Sequence, residues 1–263
     1  MKLKHFLLCV MGILIPTTVF SAEYYVVPGL RATGNDGSSW EKAITMYDIF
    51  ENDAAAAKND EVSKYKTGDV FFLAGGTYYN ATSPGSDAGR IYRGYIFVGG
   101  CDQSKGVVTE WPAYPSATPT IFSGDLDENG GPSAGDLRNL IHVRQARNDA
   151  AENLAHICKL IGIDFTCSYS PEGSTNASGA VYCTQGAIEL QYCNIYNNIS
   201  KGEGTGDGIG AGIHIYGGLY HIKDCNVYNN KAHKTGAGFR CTSRSSKTVS
   251  YTHLRAHETS AHL

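Results

Sequence analysis

The sequence predicts an all-β protein, a right-handed parallel β-helix (solenoid) with an N-terminal capping helix and a truncated C-terminus. Three observations predict this fold. The 263 residues include 31 glycines and 17 tyrosines, which is typical of many short strands ended by tight turns. The hexapeptide CNIYNN at 193–198 returns as CNVYNN at 225–230. Within the repeated segments apolar and polar residues alternate, as side chains do across a strand.

Residues 1–22 are predicted to be an export signal. Lys2 and Lys4 precede an apolar stretch from Phe6 to Ile15, and small residues follow at Ser21 and Ala22, which is the pattern of a secretory signal peptide. The apolar stretch is shorter than the roughly 20 residues that span a bilayer, so we predict no transmembrane segment in the mature chain. The mature chain is therefore expected to be exported. A single membrane anchor is the alternative.

Charge and cysteine content narrow the class of protein. The net charge of −3 at pH 7 gives no basis for binding nucleic acid. Eight cysteines in an exported chain suggest disulfides, but loss of Cys9 with the signal leaves seven, an odd number. For Cys193 and Cys225 we favour buried thiols, and a disulfide between them is the alternative.

Residues 23–135 are predicted to form the N-terminal cap and the first coils. Strands are expected at Tyr24–Val27 and Tyr95–Val98, and a helix is expected over Trp40–Lys58, where apolar residues have near-helical spacing. The open end of such a coil needs a cover, because unpaired strand edges would otherwise be exposed there.

Residues 136–248 are predicted to form the stacked repeats. A repeat of about 30 residues cannot close a core alone, so neighbouring coils must stack, with like residues about 4.8 Å apart. The asparagines that end the hexapeptides, Asn198 and Asn230, are expected to bond to each other and to the turn backbone. Aligning CKLIGIDF with IELQYCNIY and YHIKDCNVY, and GAVYC with AGIHI and AGFRC, gives six columns: Cys158, Ile188 and Tyr220; Leu160, Leu190 and Ile222; Ile163, Cys193 and Cys225; Phe165, Ile195 and Val227; Val181, Ile213 and Phe239; and Cys183, Ile215 and Cys241.

The repeat motifs resemble those of a known family. Ala211–Ile213 and Ala237–Phe239 approximate the GGAI-like motif of polymorphic outer-membrane protein repeats, and Tyr196–Asn198 and Tyr228–Asn230 approximate the FxxN-like motif. The N-terminal segments YYVVPGLRATGNDGSSWEKA and GDVFFLAGGTYY are similar to the opening of exported right-handed parallel β-helix proteins of the pectin-lyase-like superfamily. The resemblance implies the fold, a cover formed by Trp40 and the helix over the open end of the coil, and export to the extracellular space or the outer-membrane surface of a Gram-negative bacterium. It leaves open lyases, hydrolases, adhesins and inert shafts.

The segment DLDENGGPSAGD resembles a calcium loop. Oxygen ligands from Asp125, Asp127 and Asn129, with a closing carboxylate from Asp136, suit Ca²⁺. The closing residue is an aspartate instead of the usual glutamate, and no helices flank the loop. These departures favour a solvated turn, with calcium binding as the alternative hypothesis.

A glycan-contacting surface is predicted on the repeats. Polar or amphipathic residues lie between the inward columns and are expected to face outward, with His214 and Arg240 on neighbouring coils. Loops at 168–178 and 198–212 leave the coil at matching places and would form the rim of a groove, where binding usually occurs on a rigid scaffold. A polysaccharide or host surface glycan could stack there, and an exposed, solvated surface is the alternative. The candidate contact residues are Tyr169, Tyr182, His214 and Arg240.

The sequence offers no catalytic set. Lyases of the superfamily imply an acidic calcium cluster with a nearby basic residue, and its hydrolases imply two or three aspartates as acid and base. Asp164 and Asp224 do not belong to such paired motifs. We therefore expect an adhesin-like or glycan-contacting module, with a polysaccharide lyase or glycoside hydrolase whose catalytic turns lie further along the gene as the alternative. No cofactor other than Ca²⁺ is suggested.

The last residues, 249–263, are expected to be non-native. The string VSYTHLRAHET resembles the translation of a transposon end and adapter used in sequencing libraries, and such scars are excluded from reasoning about the fold. We predict that the natural sequence departs from this chain near Thr248.

Overall fold

The computed structural model of the chain describes residues 21–29, 34–55, 62–81, 89–144, 157–172, 179–201, 210–242, 249–252 and 255–257. Residues 1–20 of the predicted export signal and the loop segments 173–178 and 202–209 lie outside the described residues.

The described part of the chain contains one α-helix, α1 (Met46–Ala55), and two 3-10 turns, at Trp40–Lys42 and Gln103–Lys105. Everything else that is regular there is β-structure. The strands of the N-terminal half are β1 (Glu23–Val26), β2 (Val70–Ala74), β3 (Gly76–Tyr78), β4 (Arg90–Ile91), β5 (Ile96–Cys101), β6 (Thr120–Ser123) and β7 (Ile141–Arg144). Those of the repeats are β8 (Cys158–Ile161), β9 (Ile163–Thr166), β10 (Tyr169–Ser170), β11 (Val181–Gln191), β12 (Asn194–Tyr196), β13 (Ile199–Ser200), β14 (Ile213–Lys223), β15 (Asn226–Tyr228), β16 (Lys231–Ala232), β17 (Phe239–Thr242), β18 (Val249–Thr252) and β19 (Arg255–His257).

The strands stack in parallel into three sheets. Sheet I has two arms, because the long strands β11 and β14 bend and pair with different neighbours along their two halves. Arm 1 contains β4, β7, β17 and the first halves of β11 and β14, and arm 2 contains β1, β2, β5, β8, β18 and the second halves. Sheet II is formed by β3, β6, β9, β12, β15 and β19, and sheet III by β10, β13 and β16.

One coil visits every sheet in turn. The chain runs from β11 through β12 and β13 to β14, and matched positions of these two coils are 32 residues apart. The bend between the arms is marked by Gly218, which pairs with Gly186. Gly218 has φ +102°, and a Cβ atom there would lie 2.0 Å from the carbonyl oxygen of Gly186. A side chain does not fit at this position, so the sharp bend requires glycine.

The predicted columns are present in the structure. Five of the six are directly paired across parallel strands, including Phe165, Ile195 and Val227, and nearly all of their side chains are buried in one continuous core. In the remaining column, that of Ile163, Cys193 and Cys225, the backbone nitrogen of Cys193 lies 3.5 Å from Cys225 Sγ. The prediction of an all-β parallel solenoid is therefore confirmed.

The amide ladder is also confirmed. Asn198 and Asn230 are buried, and Asn198 Nδ2 donates to Asn230 Oδ1 at 2.9 Å. Asn198 Oδ1 accepts from the Ser168 N–H at 2.9 Å, and Asn230 Nδ2 donates to the Ile195 carbonyl at 2.9 Å. These bonds satisfy turn backbone that would otherwise be buried without partners.

The seven described cysteines are free thiols, and six of them are buried. Of the two hypotheses for Cys193 and Cys225, buried thiols are therefore correct. Burial raises the pKa of the Cys193 thiol well above its ordinary value, as expected for a group whose charged form is poorly solvated.

The predicted helix over Trp40–Lys58 is wrong at its start. Trp40–Lys42 form a 3-10 turn and α1 begins at Met46. The Asp48 carboxylate accepts hydrogen bonds from the backbone N–H and the hydroxyl of Thr45, at 2.9 and 2.8 Å. These two bonds from Thr45 to Asp48 fix the first turn, and they are a stronger local signal than the apolar spacing.

The helix packs on the core through Ile49 and Phe50, whereas Tyr47, which the spacing placed on the inward face, is 37% exposed. Its buried Asp53 pairs with the buried Arg93 and accepts a hydrogen bond from the Tyr95 hydroxyl at 2.9 Å. The helix is thus tied to the chain around β4 and β5. Its role as a cover over the coil end stays a prediction.

The last described strands continue the stack. β18 pairs in parallel with β14, and β19 pairs with β15. The predicted origin of residues 249–263 concerns the DNA, so backbone pairing does not test it.

Candidate functional site

The acidic loop brings the three predicted carboxylate ligands together. Carboxylate oxygens of Asp125, Asp127 and Asp136 lie within 4.8 Å of one another. Asp136 is fully buried, and its pKa is raised from 3.8 to about 6, with burial as the largest cause. The charges of Asp127 and Asp125 contribute to this increase, while hydrogen bonds from the Ser133 and Leu126 backbone N–H groups oppose it.

The fourth predicted ligand, Asn129, contacts a carboxylate through its side-chain amide nitrogen, while its oxygen bonds to the loop backbone. Asn129 Nδ2 donates to Asp127 Oδ2 at 3.0 Å, and Asn129 Oδ1 accepts from the Gly131 N–H at 2.9 Å. The Asp125 carboxylate accepts backbone N–H groups of the same loop, from Asn129 at 3.0 Å and Gly130 at 2.9 Å. The loop therefore holds itself together as a turn, and calcium binding by Asp125, Asp127, Asn129 and Asp136 stays a prediction.

The outward column of arm 1 contains stacked rings. Tyr182 lies between His142 and His214, with ring centres 4.6 and 5.2 Å apart. Arg240 pairs with His214 on the next coil, as predicted. The expected exposure of His214 is wrong, because its exposed fraction is 1%.

The burial of this column limits what it can bind. Each face of the Tyr182 ring is occupied by an imidazole, and a Cβ on Gly210 would lie 2.8 Å from His214 Cβ. A sugar therefore has no free ring face to stack on. Tyr169 lies elsewhere, on β10, where the Lys201 Nζ is 5.8 Å from its ring centre. The structure does not bring Tyr169 into ring contact with the column within the described part of the chain.

A third feature, missed by sequence reasoning, is a cleft beside arm 2 that we call the aromatic cleft. Its cavity has a volume of about 250 Å³. Trp111 is 50% exposed and Tyr192 is 38% exposed, which is unusual for aromatic side chains. The cleft is lined by Trp111, Pro112, Ala113, Tyr114, Ile161, Gln191 and Tyr192.

The cleft forms because the residue at one turn position differs from coil to coil. Successive coils place Gly162, Tyr192 and Asp224 in the same left-handed turn, with φ of 65°, 55° and 52°. A Cβ on Gly162 would lie 1.7 Å from Tyr114 Cε1, so the Tyr114 ring occupies the space that a side chain would take. From there it stacks on Tyr192, with ring centres 5.1 Å apart and planes 18° from parallel. The Tyr114 hydroxyl donates a hydrogen bond to the Gly99 carbonyl at 2.9 Å.

The cleft lies where the outer face of arm 2 changes from apolar to polar. One outward column runs from Phe72 and Val98 through Ile161 to Gln191 and Lys223. The first three belong to a second hydrophobic cluster under the 102–119 loop, and the last two are half-buried. That loop is fastened by the Trp40 indole N–H, which donates to the Gly106 carbonyl at 2.6 Å.

No family model, curated protein or solved structure matches this chain. Within the described ranges, no helix is long and apolar enough to cross a membrane.

One sequence signal could have revealed the cleft. In the repeat alignment Gly162 occupies the position of Tyr192 and Asp224. A glycine where sister coils carry side chains indicates that another group approaches closely. That group, Tyr114, lies outside the repeats and has no periodic partner.

Proposed function

We propose that the chain is an exported cell-surface β-solenoid protein that contacts glycans through the aromatic cleft. One observation carries this proposal: the half-exposed Trp111 and the exposed Tyr192 line a cavity on a rigid parallel sheet.

The chemistry of the cleft suits a sugar ring. The C–H faces of a sugar pack on aromatic rings, while its hydroxyls need hydrogen-bonding groups at the edge. Trp111 and Tyr192 offer the aromatic surface, and the Gln191 amide offers both a donor and an acceptor. We place the contact here instead of at Tyr182 because the ring faces of Tyr182 are occupied.

The repeat motifs support the finer assignment. Their resemblance to polymorphic outer-membrane protein repeats, and that of the N-terminal segment to the pectin-lyase-like superfamily, favours a surface protein with a glycan ligand. The same resemblance keeps a polysaccharide lyase or glycoside hydrolase as the alternative. Asp136 does not favour it, because its carboxyl group is fully buried and both of its oxygens accept backbone N–H groups.

The test is binding of the purified chain to a glycan array, followed by titration calorimetry on the hits. The decisive variant is Tyr192→Asn, because asparagine tolerates the left-handed backbone of this turn. The matched control is Tyr47→Ala, which removes an equally exposed tyrosine from α1. We expect Y192N to lose binding and Y47A to keep it, with both retaining the far-UV spectrum of the native protein. Equal binding by Y192N and the native chain would contradict the proposed site.

Two product assays test the enzymatic alternative on the same array hits. Release of unsaturated uronates would indicate a lyase, and release of reducing ends would indicate a hydrolase. We expect neither.

A further inference from the structure

We propose that the ligand of the aromatic cleft is a neutral oligosaccharide of at least two rings. This inference rests on the proposed function and specifies its ligand class. It is carried by the polarity of the cavity, by the charges around it and by a second cavity next to it.

The cavity wall carries no formal charge. The residues that line it are apolar or aromatic except for Gln191. A bound carboxylate or sulfate would be desolvated against Trp111 and Tyr192 without a cation in the wall, and burial of an unpaired charge is costly. A neutral sugar ring loses only hydrogen bonds to water, and the Gln191 amide can replace these.

Charged side chains on this outer face come in opposite signs. Lys223 pairs in register with Gln191, and Asp224 follows it directly, beside Tyr192 on the next coil. On the same face Lys159 Nζ and Glu189 Oε2 form an ion pair at 3.4 Å. A uronate-binding surface would need a net positive field, whereas these four side chains balance.

A second cavity extends the cleft beyond one sugar ring. It has a volume of about 530 Å³, lies within the 102–119 loop, and shares the segment Trp111–Ala113 with the aromatic cleft. Its lining includes Asp102, Lys105 and Glu110, two acidic side chains and one basic, so it offers no net positive charge to an acidic ligand. The exposed indole of Trp111 therefore belongs to two neighbouring spaces, and a ring bound in the smaller one has room for the next residue of the chain in the larger one.

The experiment compares a neutral galactose trisaccharide with the corresponding galacturonate trisaccharide by titration calorimetry, alongside a neutral and acidic glycan array. We expect the neutral ligand, or another neutral oligosaccharide of the array, to bind at least about tenfold more tightly than its acidic counterpart. Its affinity should be insensitive to added salt, because no ion pair forms. The free monosaccharide should bind at least about tenfold more weakly than the trisaccharide.

Two neighbouring variants separate the hypotheses. Gln191→Leu should weaken the neutral ligand by about tenfold or more, because it removes the amide that replaces water. Lys223→Met, in the adjacent position of the same outward column, should change it by less than about twofold, because a rim charge contributes little to a neutral ligand. Tighter, salt-sensitive binding of acidic glycans that K223M abolishes would overturn the ligand class while leaving the proposed function standing. Absence of any glycan binding, or binding that Y192N does not alter, would overturn the proposed function itself.

Discussion

Replacing Asn198 with alanine should destabilise the protein by about 3 kcal/mol, because this one amide joins three coils. Its Oδ1 accepts from the buried Ser168 N–H at 2.9 Å, and its Nδ2 lies 3.2 Å from the Phe165 carbonyl, 2.9 Å from the Tyr196 carbonyl and 2.9 Å from Asn230 Oδ1. The buried Ser168 N–H left without an acceptor costs about 1–3 kcal/mol, and loss of the hydrogen bonds made by the two Nδ2 hydrogens adds about 1 kcal/mol each. The lower end of this range applies, because Asn230 Oδ1 keeps the Asn198 backbone N–H as a donor.

The assay is urea unfolding followed by far-UV circular dichroism. With an m value of about 3 kcal/mol/M, the midpoint should fall by about 1 M. The matched control is Asn226→Ala, which removes an exposed amide whose Nδ2 donates to Asn194 Oδ1 at 2.9 Å on the outer face of sheet II. We expect a loss below about 0.5 kcal/mol in the control, as for most surface substitutions. Equal midpoints for N198A and N226A would refute the view that inward amides bind the coils together.

Three further predictions concern the cleft, the acidic loop and the helix. Gly162→Ala should displace the Tyr114 ring, because the new Cβ would lie 1.7 Å from Tyr114 Cε1, and the left-handed backbone adds a strain of about 1–3 kcal/mol. The near-UV dichroism and the glycan titration should both change. Native behaviour in both would contradict the stacking argument. The folded protein keeps the Asp136 proton up to about pH 6, whereas the unfolded chain loses it near pH 4, so the free energy of unfolding should fall as pH rises through this window. The D136N variant should lack this pH dependence. Millimolar calcium chloride should leave the pH dependence of the native protein unchanged if the loop is a solvated turn, and calcium that abolishes it would identify a calcium loop. Asp53→Ala should cost about 3–5 kcal/mol in urea unfolding by removing the carboxylate from the buried Arg93 guanidinium, and an Asp53→Ala, Arg93→Met double variant that is no more stable than the single would contradict this cause.

The repeats could be predicted from sequence because the two periods in them have a direct physical meaning. Alternation within a strand decides which side chain is buried, and the 32-residue spacing decides which residue lies above it. That Asn198 lies above Asn230 follows from the spacing, since both amides are three residues after an inward apolar residue. Their burial does not follow from alternation, because the left-handed residues Asn197 and Asn229 turn the chain just before them. The burial of Cys193 and Cys225 follows as well, because the inward columns place both in the core. The structure decides between thiols and a disulfide, since stacked cysteines in one column are compatible with either.

The aromatic cleft could not be predicted in this way. The stack of Tyr114 on Tyr192 joins a non-repeating loop to a repeat, so no periodicity relates the two residues. The start of α1 was missed for a similar reason, because one carboxylate, that of Asp48, decides it. The burial of His214 was missed because alternation indicates which residues face outward and does not indicate what covers them.

The repeated coil also sets the length of the molecule in equal steps. In a linear array each unit contacts only its neighbours, so a duplication of 32 residues, the length that separates Asn198 from Asn230, would lengthen the shaft without altering any existing contact except at the insertion. Each such step would move the cleft by about 4.8 Å relative to one end of the molecule. The distance of the cleft from one end of the molecule is therefore a property that this architecture can change in small, equal increments without altering the residues that line the cleft.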